Sequence, residues 1–145
     1  MAERTASFTY GPSARLKKGW EFDAVFRTGR QQRGDMVRVY FLYRPGGPAR
    51  VGVAVGRKIA DAVRRSRGRR MLRESLRRLL PWLKDGFWIV ASLRERALKE
   101  SSAVVYADIA RSMEKAGLLV PDWNGANWTV DAFVEDAEES SPGVR

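Results

Sequence analysis

The chain is 145 residues long, 44% hydrophobic and has a net charge of +10, which suits one compact domain with tails that repels itself unless a polyanion is near. It contains no Cys and no His, which excludes disulfides, thiolate metal sites and the Ser/His and Cys/His nucleophile systems. No apolar run approaches the roughly 20 residues that span a bilayer, and the first residues lack the apolar stretch of a secretory signal, so a cytoplasmic protein without a membrane partner is expected.

The charge is unevenly placed. Residues 1–120 carry 26 basic and 11 acidic side chains, whereas residues 121–145 carry one and six. This divides the chain into a loose basic arm (1–14), a basic α/β domain (15–120) and an acidic extension (121–145). Nucleic acid is the partner such a domain suits best, with an anionic membrane surface second. Most of the bases are Arg, whose planar fork matches phosphate and stacks on bases, although a high genomic G+C content also raises Arg.

In chain order, residues 15–28 place Leu16, Trp20, Phe22, Val25 and Phe26 at helical spacing, with Phe22 and Phe26 one turn apart on one face. Gly29 is expected to stop that helix. Met36–Tyr43 is β-branched and aromatic and predicts a strand. Arg44-Pro-Gly-Gly-Pro-Ala49 predicts a turn, and Arg50–Gly56 a second strand, the two forming a hairpin. Asp61 is a plausible N-cap for a helix running to Pro81, with Ala62, Leu72, Leu76, Leu79 and Leu80 as its core face. Asp85-Gly86 turns the chain into Phe87-Trp-Ile-Val-Ala-Ser92, an apolar run suited to a buried strand. Ser101 or Ser102 caps a last helix with the stripe Val105, Ile109 and Met113, ended by Gly117. The order helix, strand, strand, helix, strand, helix predicts an α+β (α/β sandwich) fold with helices packed on a small mixed sheet of three to four strands. The stretch around residues 50–92 predicts a parallel strand pair with a crossover helix, for which a right-handed connection is the general rule. Beyond Pro121 the sequence is turn-rich with Trp123, Trp128 and Phe133. It reads as a mobile tail, or as a segment that docks on the domain and covers its basic surface until RNA displaces it.

Two features bear on function. Arg57–Arg78 holds ten bases against Asp61 and Glu74. On a helical wheel Arg64, Arg67, Arg70, Arg73, Arg77 and Arg78 spread away from the Leu stripe, while Arg65 and Arg69 lie nearer to it. Like charges this dense oppose an isolated helix, and phosphates would relieve them with a steep salt dependence; the plainer reading is a solvated basic face. The second feature is aromatic: Phe22 and Phe26, with Tyr40 on the next strand, form either a platform for unpaired bases or simply core.

These residues resemble the ribonuclease P protein component family. The segment has the family's basic pair (Arg57-Lys58), Ala62-Val63, an Arg-Asn-Arg motif written here as Arg65-Ser66-Arg67, then Arg69-Arg70 and Arg73-Glu74. Upstream, Arg15-Leu16-Lys17-Lys18, Phe22, Phe26 and Gly29 match the family's opening. Ser66 replaces an Asn and keeps a hydroxyl without the amide fork. Ala60 stands where the family usually has Gly, and the acidic tail is outside the pattern. The resemblance implies a ribosomal-protein-domain-2-like sandwich whose strand–helix–strand crossover is left-handed. It implies that Arg57, Lys58, Arg65, Ser66, Arg67, Arg69, Arg70 and Arg73 contact the catalytic RNA, and that Phe22, Phe26 and Tyr40 line the cleft for the 5′ leader of precursor tRNA. Hydrolysis would belong to the RNA subunit with Mg²⁺, leaving no catalytic or metal-binding residue on this chain and no need for a protein oligomer. The alternatives are a ribosomal or RNA-chaperone-type binding protein, a DNA-binding protein using the Arg helix, and an autonomous metal-dependent nuclease. The last two are disfavoured by the lack of Asn or Gln on the helix to read adenine and by the scatter of the carboxylates.

Overall fold

The computed structural model describes residues 14–58, 60–123 and 125. The division into arm, domain and tail therefore falls largely outside the described residues at both ends, as does any cover formed by the tail. The elements are α1 (Gly19–Thr28), β1 (Arg30–Arg33), β2 (Val37–Tyr43), β3 (Arg50–Ala54), α2 (Ala62–Leu79), β4 (Phe87–Leu93) and α3 (Ser102–Ala116), with short 3-10 segments at Leu80–Trp82 and Glu95–Lys99. The four strands form one mixed sheet in the order β1-β2-β4-β3.

The sheet corrects the expected β2–β3 hairpin. β4 lies between the two, antiparallel to β2 and parallel to β3. Its run Phe-Trp-Ile-Val-Ala-Ser-Leu is buried on both faces, and a strand of that kind belongs at the centre of a sheet. The Pro-Gly-Gly-Pro turn holds to the start of β4 instead: the Arg44 amide donates to Gly86 O and the Gly86 amide to Gly47 O. The hairpin that does form is β1–β2. β1 is Arg-Gln-Gln-Arg and mostly exposed, an edge strand protected by its charges, and its polar sequence gives no alternating signal.

Because facing residues alternate along a strand, the sheet has two distinct sides. Val37, Val39, Val51, Ile89, Ala91 and Leu93 face one core with Leu72, Leu76 and Leu79 of α2 and Val105, Ile109 and Met113 of α3. Trp88 and Val90 face the other, smaller core with Leu16 and Val25, packed about by Phe22, Tyr40, Leu42 and Ala54. We call these the back and front faces. The back is bolted by Asp108 on α3, a buried carboxylate that accepts from the amides of Asp35 (3.1 Å), Met36 (2.8 Å) and Val37 (3.1 Å) and so holds the β1–β2 turn against the helix. α2 can lie close to the sheet because position 68 is Gly: a Cβ there would sit 2.7 Å from Leu93 Cδ2.

The expected caps are present. Asp61 Oδ1 accepts from the Arg64 amide at 2.9 Å, Ser101 Oγ from the Val104 amide at 3.3 Å, and Gly117 adopts φ +78° past the end of α3. Gly29 ends α1 for a different reason than a left-handed cap. Its φ is −84°, and a Cβ would lie 2.5 Å from Phe41 O and 2.6 Å from Val25 O, so the chain passes too close to the sheet for any side chain. On α2 the wheel misplaces two residues: Ala62 is exposed, and Arg78 is buried, held by Glu74 at 3.0 Å. Leu80 belongs to the 3-10 turn but packs half-buried against the core, as expected.

Candidate nucleic-acid interface

Among the described residues α1 is the one helix that crosses the front face, and Phe22, Phe26 and Tyr40 beside it stay partly exposed. Phe26 is 40% exposed, with its ring centroid 4.8 Å from that of Tyr40 at 81°, edge to face. Phe22 is half-buried and lies over β3. It does so because position 52 is Gly, where a Cβ would come within 2.7 Å of two of its ring carbons. The structure therefore brings Phe22, Phe26 and Tyr40 to one groove, and neither Phe ring is sealed in the core. The register extends the groove: Tyr40 stands level with Gln31 and Val90, and Arg38 with Arg33 and Ser92. Arg38 and Arg33 thus share the face of Tyr40, and Arg38 Nε is buried without a hydrogen-bond partner among the described residues. The sequence reasoning missed Arg38, although the period of two that places Tyr40 on this face places Arg38 there as well.

The groove is anchored at the N-terminus of α1 by Glu21. Its buried carboxylate accepts from the amides of Lys17 (2.7 Å) and Lys18 (2.9 Å) and from Arg50 Nη1 (2.9 Å). Burial pushes this carboxyl up, but the two amides and the Arg50 guanidinium outweigh it and hold it below its ordinary value.

The arginine helix occupies the opposite face of the sheet, so ridge and groove do not share a side. Residues 55–58 leave β3 at the end of the sheet where Arg38, Ser92 and Ala54 are level. Arg57 and Lys58 are exposed there. Arg65 Nη1 donates to Arg57 O (3.1 Å) and Ala60 O (2.5 Å), tying the loop to α2. Arg67 donates to Leu98 O (2.5 Å) and Glu100 O (3.1 Å), tying α2 to the 3-10 segment. Arg69 donates to Ser66 Oγ at 3.2 Å, while Arg70 and Arg73 point outward and are exposed. Of the eight basic-motif positions, Arg57, Lys58, Arg70 and Arg73 thus lie open to a partner. Arg65 and Arg67 spend part of their five-donor forks on the protein itself. Arg77 pairs with Glu74 at 2.6 Å. Among the described residues, no three carboxylates stand close enough together to hold a metal ion.

A small α+β protein with a ring-lined groove, a basic loop and an outward arginine ridge is an RNA-binding protein in its surface chemistry. The model of the family described as Ribonuclease P matches residues 11–117. A ribonuclease P protein component of Symbiobacterium thermophilum is 38% identical over 106 residues, covering 72% of this chain and 92% of the relative. That of Lactiplantibacillus plantarum is 35% identical over 111 residues, covering 76% and 97%. Among solved structures, the RNase P protein from Thermotoga maritima superposes with a TM-score of 0.63 at 25% identity, covering 70% of this chain and 96% of that one. An RNase P protein of Staphylococcus aureus gives 0.68 at 19% identity and shares the fold. The chain belongs to the Ribonuclease P protein family.

Proposed function

We propose that the front groove holds the unpaired 5′ leader of precursor tRNA while α2 and the loop before it dock on the catalytic RNA of the enzyme. As a Ribonuclease P protein the chain is an RNA-binding component of a tRNA-processing ribonucleoprotein, with an RNA subunit as its partner. The leader assignment rests on one observation: Phe26 and Tyr40 meet edge to face in a groove that remains open to solvent. Aromatic faces of this kind take successive unpaired bases with little regard to sequence. Arg33 and Arg38 beside them offer charge to the backbone that carries those bases.

Hydrolysis is assigned to the RNA subunit with Mg²⁺. The chain has no His or Cys, and its described residues hold no group of carboxylates that could cage the ion. The protein's contribution is positioning: a strand held on one side of the sheet and a polynucleotide held at its end place the scissile linkage between them. No protein dimer is needed for this. No helix among the described residues is long and apolar enough to cross a membrane, and the cytoplasm is the proposed place of action.

Reconstitution tests the proposal. The purified protein, mixed with ribonuclease P RNA and a precursor tRNA at a Mg²⁺ level where the RNA alone is slow, is expected to restore 5′ cleavage. The gain should depend on the leader. RNA binding without restored cleavage would return the chain to the ribosomal or chaperone-type alternative.

A further inference from the structure

The front face carries a second aromatic cluster, on the other flank of α1. At about 100° per residue, Trp20 and Phe26 fall on either side of the buried stripe formed by Glu21 and Val25. Phe26 meets Tyr40, whereas Trp20 meets Trp88, with ring centroids 5.7 Å apart at 55°. Trp88 stands level with Leu42 and Arg50. That row is one step along the strands from Tyr40, Val90 and Gly52, about 7 Å for two residues. The Arg44 guanidinium lies 4.2 Å above the Trp88 ring and that of Arg50 5.4 Å from it.

The members of this cluster are not equally committed. Trp88 is buried beneath the others. Arg50 is engaged by Glu21 and by Arg15 O, and Glu21, the carboxylate touching the cluster, is spent on Arg50 and the amides of Lys17 and Lys18. Trp20 is 55% exposed, far more than shielding Trp88 requires. Arg44 is exposed, and its guanidinium makes no hydrogen bond or ion pair among the described residues. Lys17 and Lys18, separated from Trp20 by Gly19, are exposed too. An indole face open to water beside uncommitted cations is the combination that binds an unpaired nucleotide, the base on the ring and the phosphates on the charges.

We propose that Trp20 and Arg44 form a second stacking subsite, which takes a nucleotide of the leader farther from the cleavage site than those held by Phe22, Phe26 and Tyr40. This inference rests on the leader reading above. The leader is favoured over the RNA subunit because the cluster shares the groove's face, one row away, and lies across the sheet from the α2 ridge. The strand would round the N-terminus of α1, past Lys17 and Lys18.

The test uses the reconstituted protein–RNA complex and precursor tRNAs with leaders from about two nucleotides, shorter than known single-strand sites, to about ten, within their span. Trp20→Ala and Arg44→Ala are each expected to cost at least about fivefold in affinity for the longest leader, the lower end of one base–aromatic stack. The loss should shrink as the leader shortens, and Trp20→Phe should recover most of it. Arg44 is a surface side chain, so its variant still reports if Trp20→Ala folds poorly. An equal loss at every leader length overturns the subsite and makes Trp20 a structural cover. A loss confined to affinity for the RNA subunit overturns it by giving the cluster to that partner, and no loss at all also overturns it. Phe26→Ala, run in parallel, separates the two readings. If it weakens leader binding while Trp20→Ala and Arg44→Ala do not, only the second subsite fails. If it has no effect while they do, the groove assignment fails and the subsite stands alone.

Discussion

The two sides of the sheet are built to opposite specifications. At the back, two helices of 18 and 15 residues close over Val39, Ile89, Leu72, Leu76, Ile109 and Met113, all fully buried, and Asp108 fastens the turn beneath them. At the front, one helix of 10 residues covers a core in which only Val25 and Val90 are fully buried, and several rings stay half in water. A short helix cannot bury a whole sheet face, so rings left at its borders become available to a ligand. The lesson is a division of labour: the back supplies stability and the front gives some up to keep a binding surface.

Asp108→Ala should break this contrast most severely. It leaves the buried amide of Val37 and the part-buried amides of Asp35 and Met36 without their acceptor, and hydrogen bonds to a charged group are worth about 1.5–3 kcal/mol each, so a loss of at least about 3 kcal/mol is expected in urea unfolding. Leader affinity of the protein that remains folded should be unchanged. Arg67→Ala comes next. It frees Leu98 O and Glu100 O and should cost about 1–3 kcal/mol of stability while moving the salt dependence of RNA binding little. Phe26→Ala is the front-face counterpart. It should weaken affinity for leader-bearing precursor tRNA by about 1–2 kcal/mol, measured against leaderless tRNA, with a stability loss of about 1–2 kcal/mol, smaller than for a core Phe because 40% of the residue is already exposed. An equal loss for both substrates would take Phe26 out of the groove. Arg70→Ala should lower the slope of log affinity against log salt for the RNA subunit by about one, and an unchanged slope would remove Arg70 from the ridge.

The smallest effect is acid sensitivity at Glu21. Its carboxyl titrates below its ordinary value of 4.5 in the folded protein. Its contribution to stability is therefore present above that value and is lost as the pH falls through the lower, folded-state value. Stability measured from neutral pH down to about pH 3 should fall less steeply in this window for Glu21→Gln than for the unchanged protein.

Much of this was legible in the chain. α2, α3 and β2 follow from periodicity, caps and β-branched composition, because burial of one face imposes a pattern that the residues must obey, and β4 follows from an unbroken apolar run, the mark of a strand buried on both faces. β1 was not legible because an edge strand of Arg and Gln buries almost nothing. The β2–β3 pairing misled because turn chemistry states where the chain reverses, not which strand it will lie beside; the doubly buried β4 decided that. The sequence offers Phe22, Phe26 and Tyr40 either as a platform for bases or as core, and periodicity cannot choose between the two, because their half-exposure depends on Gly52 and on the short reach of α1. Arg65 and Arg67 read as contacts for RNA because they match the family's motif. A motif does not show that a guanidinium on a long stem can also bend back to a carbonyl and spend part of its fork on the protein, as both do here.

The central position of β4 also sets a schedule for synthesis. A nascent chain that has emerged only through residue 86 already carries the whole arginine helix and both outer parts of the sheet, but lacks the strand that joins them. The β1–β2 hairpin is local and can form early, whereas β3 has no lateral neighbour in the sheet until Phe87–Leu93 arrives, and α3, which completes the back, comes later still. Pairings that must wait for distant sequence are slow and leave apolar surface open in the interval. For this protein that interval coincides with its highest density of unneutralised positive charge, so the unfinished chain is at its stickiest toward nucleic acid before it has a fold with which to choose among them.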